Sequence, residues 1–142
     1  MYKAEDVMQS NLITVTEDTE IVEAITVLAK NGITGLPVVD NDLKLVGLVS
    51  EKDVLSIAYR IIADAPGALS SHKTVADIMT RDVVSFRKDD TLADVCQCFM
   101  DKPFRRVPVT DDGKLVGLIS RKEIIIHSFI KMTAETAAEP VS

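Results

Sequence analysis

The chain has 142 residues, of which 46% are hydrophobic, 27% charged and 4% aromatic, and its formal net charge is −6. This length and composition predict one compact globular domain and exclude a disordered chain. The acidic balance disfavours attraction to nucleic acid or to anionic membranes. The sequence has no signal-like start and no apolar run near the ~18 residues of a membrane-spanning helix. We therefore expect a cytoplasmic protein that binds neither nucleic acid nor a membrane.

The first half of the chain alternates extended and helical patterns. Apolar residues at i, i+3, i+4 and i+7 predict an amphipathic helix, for which Asp18 or Thr19 is a candidate N-cap. β-Branched residues predict a strand before this helix, and turn-forming residues separate two strands after it. In chain order we expect a helical turn at 4–8, a strand at 12–16, the helix carrying Ile21, Ala24, Ile25 and Leu28, two strands joined at 41–42, and a helix after Ser50.

The second half repeats this order after a connector at residues 64–73, where the pattern breaks. Thr91 followed by Asp94 resembles a capping box for its amphipathic helix. Small and polar residues at 133–142 predict a flexible C-terminal tail. In chain order we expect a helical turn at 75–79, a strand at 83–86, the helix carrying Leu92, Val95, Cys96 and Phe99, two strands joined at 111–113, and a helix after Ser120.

An internal duplication explains the repeated order. Residues 35–40 match residues 106–111, and residues 45–54 match residues 115–124. Pro37 and Pro108 lie 71 positions apart, whereas Gly47 and Gly117 lie 70 apart, so the first half has one extra residue in its turn. Matching at a fixed interval predicts repeat 1 at residues 1–63 and repeat 2 at residues 74–132.

The matched stretches resemble a tandem pair of cystathionine-β-synthase (CBS) domains, and the resemblance spans roughly Ala4 to Met132. It implies an α/β fold of two pseudo-symmetric β-α-β-β-α CBS repeats, packed through their sheets into one compact CBS pair. It also implies a regulatory module rather than an enzyme. Such a module senses AMP, ADP, ATP or S-adenosylmethionine in a cleft between the repeats, requires no cofactor, and signals through domain or dimer rearrangement.

The resemblance assigns residues to a first ligand-binding cleft. The Gly-x-x-Ser-x-x-Asp pattern ends at Asp53, where family members hold the ribose, and a carboxylate can accept bonds from two hydroxyl groups. Basic residues at three further positions suit phosphate, for which the planar guanidinium is well shaped. The implied set is Leu48, Ser50, Asp53, Val83, Val84, Arg105, Arg106 and Lys122.

A second, weaker cleft is implied at the matching positions. Glu123 replaces the aspartate, and Thr34 and Gly35 bring no charge where repeat 2 has two arginines. This cleft is therefore expected to be degenerate or to take a less charged adenosyl ligand. Its implied residues are Leu12, Ile13, Leu118, Ser120 and Glu123. No catalytic or metal-binding residue is assigned.

Plainer interpretations of these residues remain open. Ser50 and Ser120 are also candidate helix N-caps, and the carboxylates three positions later also complement a helix N-terminus. Arg105 and Arg106 also fit a solvated loop. Cys96 lies in the apolar stripe of its helix, which favours packing over metal binding or redox chemistry.

The two closing helices are apolar almost all round, which is typical of helices buried on more than one side. We therefore expect a homodimer, and an unidentified effector protein that responds to it. The main alternative is a ligand-independent module for dimerisation or docking onto a partner. An enzyme acting on a nucleotide ranks behind both, since no catalytic constellation is present in the sequence.

Overall fold

The computed structural model describes residues 1–64 and 74–138, which form two compact units. The first-repeat unit is Ile13–Val83, and the second-repeat unit combines Met1–Leu12 with Val84–Ser142. Apart from Asp64, the predicted connector lies outside the described residues. The elements are η1 (Ala4–Asp6), α1 (Ile21–Asn31), β1 (Gly35–Val39), β2 (Leu45–Ser50), α2 (Glu51–Asp64), η2 (Val75–Asp77), β3 (Phe86–Arg87), α3 (Leu92–Asp101), β4 (Arg106–Asp111), β5 (Lys114–Ser120) and α4 (Arg121–Ala138).

In the first-repeat unit, β1 and β2 pair antiparallel. The predicted strand at 12–16 is reduced to one parallel bridge between Val15 and Val38. At this bridge the Val15 N–H donates to the Pro37 carbonyl and the Val39 N–H donates to the Val15 carbonyl. The next N–H, of Thr16, donates to Oγ1 of Thr19, and Ile13 is exposed. The core of this unit consists of Val15, Ala24, Leu28, Leu36, Val38, Val49 and Val75.

In the second-repeat unit, β4 pairs antiparallel with β5 and parallel with the short β3. The strand predicted at 83–86 begins only at Phe86, which pairs with Val109, and Val84 before it is exposed. The core consists of Ala4, Leu92, Val95, Phe99, Val107, Val109, Ile119 and Ile124. The buried members of α1 and α3 follow the predicted helical spacing.

Each 3₁₀ turn packs in the unit that is built around the other repeat. Beside η1, the Ala4 N–H donates to the Asp90 carbonyl at 2.8 Å, and Gln9 exchanges backbone bonds with Leu118. Beside η2, the Val75 N–H donates to the Thr19 carbonyl at 2.8 Å, and Leu48 and Thr80 exchange backbone bonds. The two units are thus divided differently from the predicted repeats, whose limits stay a prediction.

Helix ends follow the predicted chemistry in part. Thr91 caps α3, because its Oγ1 accepts the Asp94 N–H at 3.2 Å. The N-cap of α1 is Glu20 without a side-chain bond, so the prediction of Asp18 or Thr19 is wrong. α4 continues through Ala138, so residues 133–138 of the expected tail are helical, as their alanine content favours. None of the described helices has the length and apolarity to cross a membrane.

Candidate functional site

Ser50 and Asp53 form a capping box where β2 passes directly into α2. The Ser50 N–H and hydroxyl donate to Asp53 Oδ2 at 2.8 and 2.9 Å, and the Asp53 N–H donates to Ser50 Oγ at 3.2 Å. Both bonds to the carboxylate end on Oδ2, so this cap does not use the second carboxylate oxygen. The helix-cap interpretation of these two residues is confirmed.

Ser120 and Glu123 make a looser version of the same cap at the start of α4. The Ser120 hydroxyl donates to Glu123 Oε1 at 3.0 Å, and the Glu123 N–H lies 3.4 Å from Ser120 Oγ. Glu123 Oε2 is buried and has no hydrogen-bond partner among the described residues. Burial raises the pKa of the Glu123 carboxyl, while the bonds from Ser120 and the charge of Arg106 act in the opposite direction.

Arg106 owes its position beside Glu123 to the register of the β4–β5 pair. Arg106 lies opposite Ser120, whereas Gly35 occupies the same place opposite Ser50. The half-buried guanidinium has its pKa lowered mainly by desolvation, with Glu123 opposing this shift and Arg105 adding to it. The signal for this pairing was present in the duplication, because Arg106 and Gly35 are matched positions.

Arg121 is a residue that the sequence patterns did not indicate. Its Nε donates to the Phe104 carbonyl, and its Nη2 donates to the carbonyls of Phe99 and Lys102, all at 3.0 Å. The guanidinium carbon also lies 5.9 Å from the centre of the Phe99 ring. These contacts tie the start of α4 to the end of α3 and to the loop that precedes β4. The matching position in the first repeat is Glu51.

The predicted ligand-binding residues are divided between the two units. Ser50, Asp53, Glu123 and Arg106 are half-buried, whereas Arg105 and Lys122 are exposed. The first-repeat unit contains Ile13, Leu48, Ser50, Asp53 and Val83. The second-repeat unit contains Leu12, Val84, Arg105, Arg106, Leu118, Ser120, Lys122 and Glu123. Their roles in ligand binding stay a prediction.

Two further groups bear on the chemistry of the second-repeat unit. Cys96 and Cys98 are half-buried thiols that pack against the core, so the packing predicted for Cys96 is confirmed. His127 follows Glu123 by one helical turn, and its ring stands edge-on to Tyr2 at 4.9 Å with Nε2 buried. Across residues 1–64 and 74–138, no three His, Cys, Asp or Glu side chains are grouped as metal ligands.

The duplicated sheet-and-helix units with matched serine–carboxylate caps define an α/β protein of tandem CBS type. The sequence profile described as CBS domain matches residues 4–60 and 75–129. The chain therefore belongs to the CBS domain family, and the prediction of two CBS repeats with this fold class is confirmed.

Among curated proteins, the chain resembles a dehydrogenase and a plant protein. It is 35% identical over 124 residues to inosine-5'-monophosphate dehydrogenase of Methanocaldococcus jannaschii, and the aligned region covers 87% of this chain and 23% of the dehydrogenase. It is 33% identical over 139 residues to the chloroplastic CBS domain-containing protein CBSX1 of Arabidopsis thaliana, and the aligned region covers 82% of this chain and 59% of CBSX1. The chain thus spans less than two thirds of either relative.

Solved structures share the fold over almost their whole length. CBSX2 in complex with AMP superimposes with a TM-score of 0.82 and 31% identity, covering 94% of this chain and 99% of that one. The CBS domain pair of protein MJ0100, in complex with 5'-methylthioadenosine and S-adenosyl-L-methionine, gives a TM-score of 0.74 and 28% identity over 92% and 98%. Both neighbours are CBS pairs that bind adenosyl ligands.

Proposed function

We propose that this chain is a regulatory module that binds an adenosyl ligand and is not itself an enzyme. The observation that carries the proposal is its likeness to the AMP complex of CBSX2, which extends over 94% of the chain. AMP is the first candidate, followed by ADP, ATP and S-adenosylmethionine. The ligand would act by favouring one arrangement of the domains or the dimer, and only to the extent that it binds that arrangement more tightly.

Asp53 is the proposed ribose ligand. Its carboxylate is held at the β2–α2 junction by two bonds to Oδ2, and the other oxygen would accept ribose hydroxyls through charge-assisted bonds. The cap fixes the side chain before the ligand arrives, which reduces the entropy lost on binding. Leu48, Val83 and Val84 are the proposed apolar contacts of the purine.

Arg105, Arg106 and Lys122 are the proposed phosphate ligands. Arg105 and Lys122 are exposed, and Arg106 is half-buried beside Glu123. Two adjacent guanidinium groups present several donors to phosphate oxygens. In a chain of net charge −6, this local group of cations is the feature that favours an anionic ligand. The weaker second cleft would use Leu12, Ile13, Leu118, Ser120 and Glu123.

The test is a titration of the wild type and of Asp53→Asn with AMP. A ligand at about 100 times its dissociation constant stabilises a protein by about 2.7 kcal/mol, which thermal unfolding detects. We expect AMP to stabilise the wild type and Asp53→Asn to bind it at least about ten-fold more weakly, because a charge-assisted bond is lost.

Asp77→Asn is the matched control. Asp77 also accepts a backbone bond in a cap, from the Thr74 N–H at 3.0 Å, but has no proposed ligand role. This variant should bind AMP as the wild type does. If AMP, ADP, ATP and S-adenosylmethionine all leave the wild type unchanged at millimolar concentration, the adenosyl proposal fails. If Asp53→Asn binds normally, Asp53 is a cap alone.

A ligand-independent docking module is the second candidate function. One observation favours it: apolar side chains on both closing helices are exposed. Tyr59 on α2 is 69% exposed and Phe129 on α4 is 71% exposed. Among the side chains that the structure describes on these helices, the exposed large apolar ones are Leu55, Tyr59, Ile62, Ile125, Ile126, Phe129 and Ile130.

A homodimer is proposed in either case, because isolated proteins rarely expose so much apolar surface. Light scattering on the purified chain measures its mass directly, and a mass of one chain at micromolar concentration would overturn this proposal. The response would be transmitted to an unidentified effector protein. We propose the cytoplasm as its location, where the unpaired Cys96 and Cys98 would stay reduced.

A further inference from the structure

The end of α3 is stabilised by a side chain instead of by a glycine. In the first repeat, Gly32 follows the last residue of α1, and its φ of 59° gives the left-handed cap that glycine favours. The matching position in the second repeat is Pro103, and Lys102 after α3 is extended, with a φ of −123°. The carbonyls near the end of α3 therefore need another donor.

Arg121 supplies that donor and also binds the loop beyond the helix. Two of its bonds end on the carbonyls of Phe99 and Lys102 at the end of α3. The third ends on the carbonyl of Phe104, which directly precedes Arg105 and Arg106. The backbone that enters this pair of arginines is thus held by the same guanidinium that caps the helix. The two repeats differ here in a concerted way, with Gly32 and Glu51 in one and Pro103 and Arg121 in the other.

We propose that Arg121 is a positioning residue that holds Arg105 and Arg106 in place to bind a phosphate group of the ligand. The inference rests on the proposed function and adds to it the residue that confers preference for a phosphorylated ligand. Three donors of one planar group fix the loop in a way that the single ammonium of lysine does not reproduce. The second arginine is further oriented by its strand pairing opposite Ser120.

The experiment compares AMP with adenosine, which lacks the phosphate. Dissociation constants for both are measured by calorimetry on the wild type and on Arg121→Lys, which keeps the charge and loses the planar fork. We expect the wild type to prefer AMP. We expect Arg121→Lys to lose about ten-fold in AMP affinity, with adenosine affinity unchanged within about two-fold.

Arg81→Lys is the matched control, because Arg81 is an exposed arginine of the first-repeat unit that pairs with Glu17 at 3.3 Å. It should leave both affinities unchanged. Should Arg121→Lys not fold at the temperature of the titration, Pro103→Gly is added to it. Glycine then offers α3 the type of helix end that α1 has, while the Phe104 carbonyl still lacks its donor, and the same loss of AMP preference is expected.

The outcomes separate this inference from the proposed function. A parallel loss of AMP and adenosine affinity in Arg121→Lys would show a merely structural role and overturn the inference, as would an unchanged preference. A wild type that binds both ligands equally would also overturn it, while adenosyl binding itself would stand. A wild type that binds neither ligand at millimolar concentration would overturn both.

Discussion

The matched carboxylates Asp53 and Glu123 differ in two respects. Glu123 is one methylene group longer, and the residue paired with its serine is Arg106, where the first repeat has Gly35. The shorter Asp53 accepts both the backbone and the side-chain donor of its serine on one oxygen. Glu123 accepts the serine hydroxyl on Oε1 and leaves Oε2 buried without a partner among the described residues. Arg106 beside it compensates part of the cost of burying that charge. Equivalent positions in a duplication have thus acquired different electrostatics.

Glu123 should make the stability of the protein depend on pH. Burial raises the folded-state pKa of its carboxyl above the unfolded value of about 4.3, so the folded state binds the proton more tightly. The corresponding stabilisation is present at low pH and is lost as the pH rises through the folded-state pKa. Glu123→Gln lacks this loss, so its stability relative to the wild type should increase from about pH 4 towards neutrality.

Urea unfolding of both proteins at a series of pH values measures this difference. Arg106 on β4 is the charged group beside Glu123, His127 follows Glu123 by one turn of α4, and Tyr2 packs against the histidine ring. Both proteins contain all three, so the two differ only in the carboxyl group at residue 123. A difference that stays constant or decreases with rising pH would contradict the burial of this charge.

At the scale of elements, Gly47 and Gly117 allow a neighbouring segment to lie across the middle of each closing strand. A Cβ at Gly47 would lie 2.8 Å from the Thr80 carbonyl oxygen and 3.1 Å from Met79 Sδ. A Cβ at Gly117 would lie 2.7 Å from Met8 Cγ. The close approach at Gly47 is part of a structure held by paired backbone bonds between Leu48 and Thr80.

Gly47→Ala should destabilise the protein by about 2 kcal/mol, because a backbone carbonyl must move to admit the methyl group. Hydrogen exchange at the Leu48 and Thr80 amides should accelerate, since their mutual bonds are disturbed. Gly32→Ala is the control: nothing lies within 4 Å of its Cβ, and its cost of about 1 kcal/mol arises from the positive φ alone. Unchanged exchange at Leu48 and Thr80 in Gly47→Ala would contradict the close packing.

The elements that depend on local periodicity or turn chemistry could be predicted from the sequence. α1 and α3 bury the stripes that their spacing indicated, and the two hairpins turn between Val39 and Leu45 and between Asp111 and Lys114, where turn-forming residues were predicted. The true extent of the strand at 12–16 could not be predicted, because β-branched residues do not reveal whether a partner strand is available. Arg121 gave no pattern either, since its acceptors are backbone carbonyls 17 to 22 positions away.

The same distinction holds for the candidate site. Ser50 with Asp53, and Ser120 with Glu123, are separated by three positions, a spacing at which a capping box is expected. The closeness of Arg106 to Glu123 depends on the strand register, which puts Arg106 opposite Ser120. Sequence spacing therefore indicates the caps, whereas the charge beside each cap follows from pairing between strands.

At the scale of the whole chain, each unit contains the 3₁₀ turn at the start of the other repeat. The second-repeat unit contains η1, and the first-repeat unit contains η2. Ala4 and Val75 occupy matched positions, and both are fully buried. Ala4 belongs to the core around α3 and β5, whereas Val75 belongs to the core around α1 and β1. The interval of 71 residues would be the same if each turn packed on its own repeat, so the duplication alone could not reveal this exchange.

Truncating the side chain at Ala4 should therefore destabilise the second-repeat unit, and truncating it at Val75 should destabilise the first-repeat unit. Val75→Ala removes two buried methyl groups and should cost about 1–3 kcal/mol, and Ala4→Gly should cost about 1 kcal/mol. Hydrogen exchange followed by mass spectrometry should show faster exchange in β1 and β2 for Val75→Ala, and in α3 and β5 for Ala4→Gly. The two variants serve as controls for each other. If Val75→Ala instead loosened β4 and β5 while β1 and β2 kept their protection, the exchange of leading segments would be wrong. The duplication would then consist of two repeats that each follow their own helical turn.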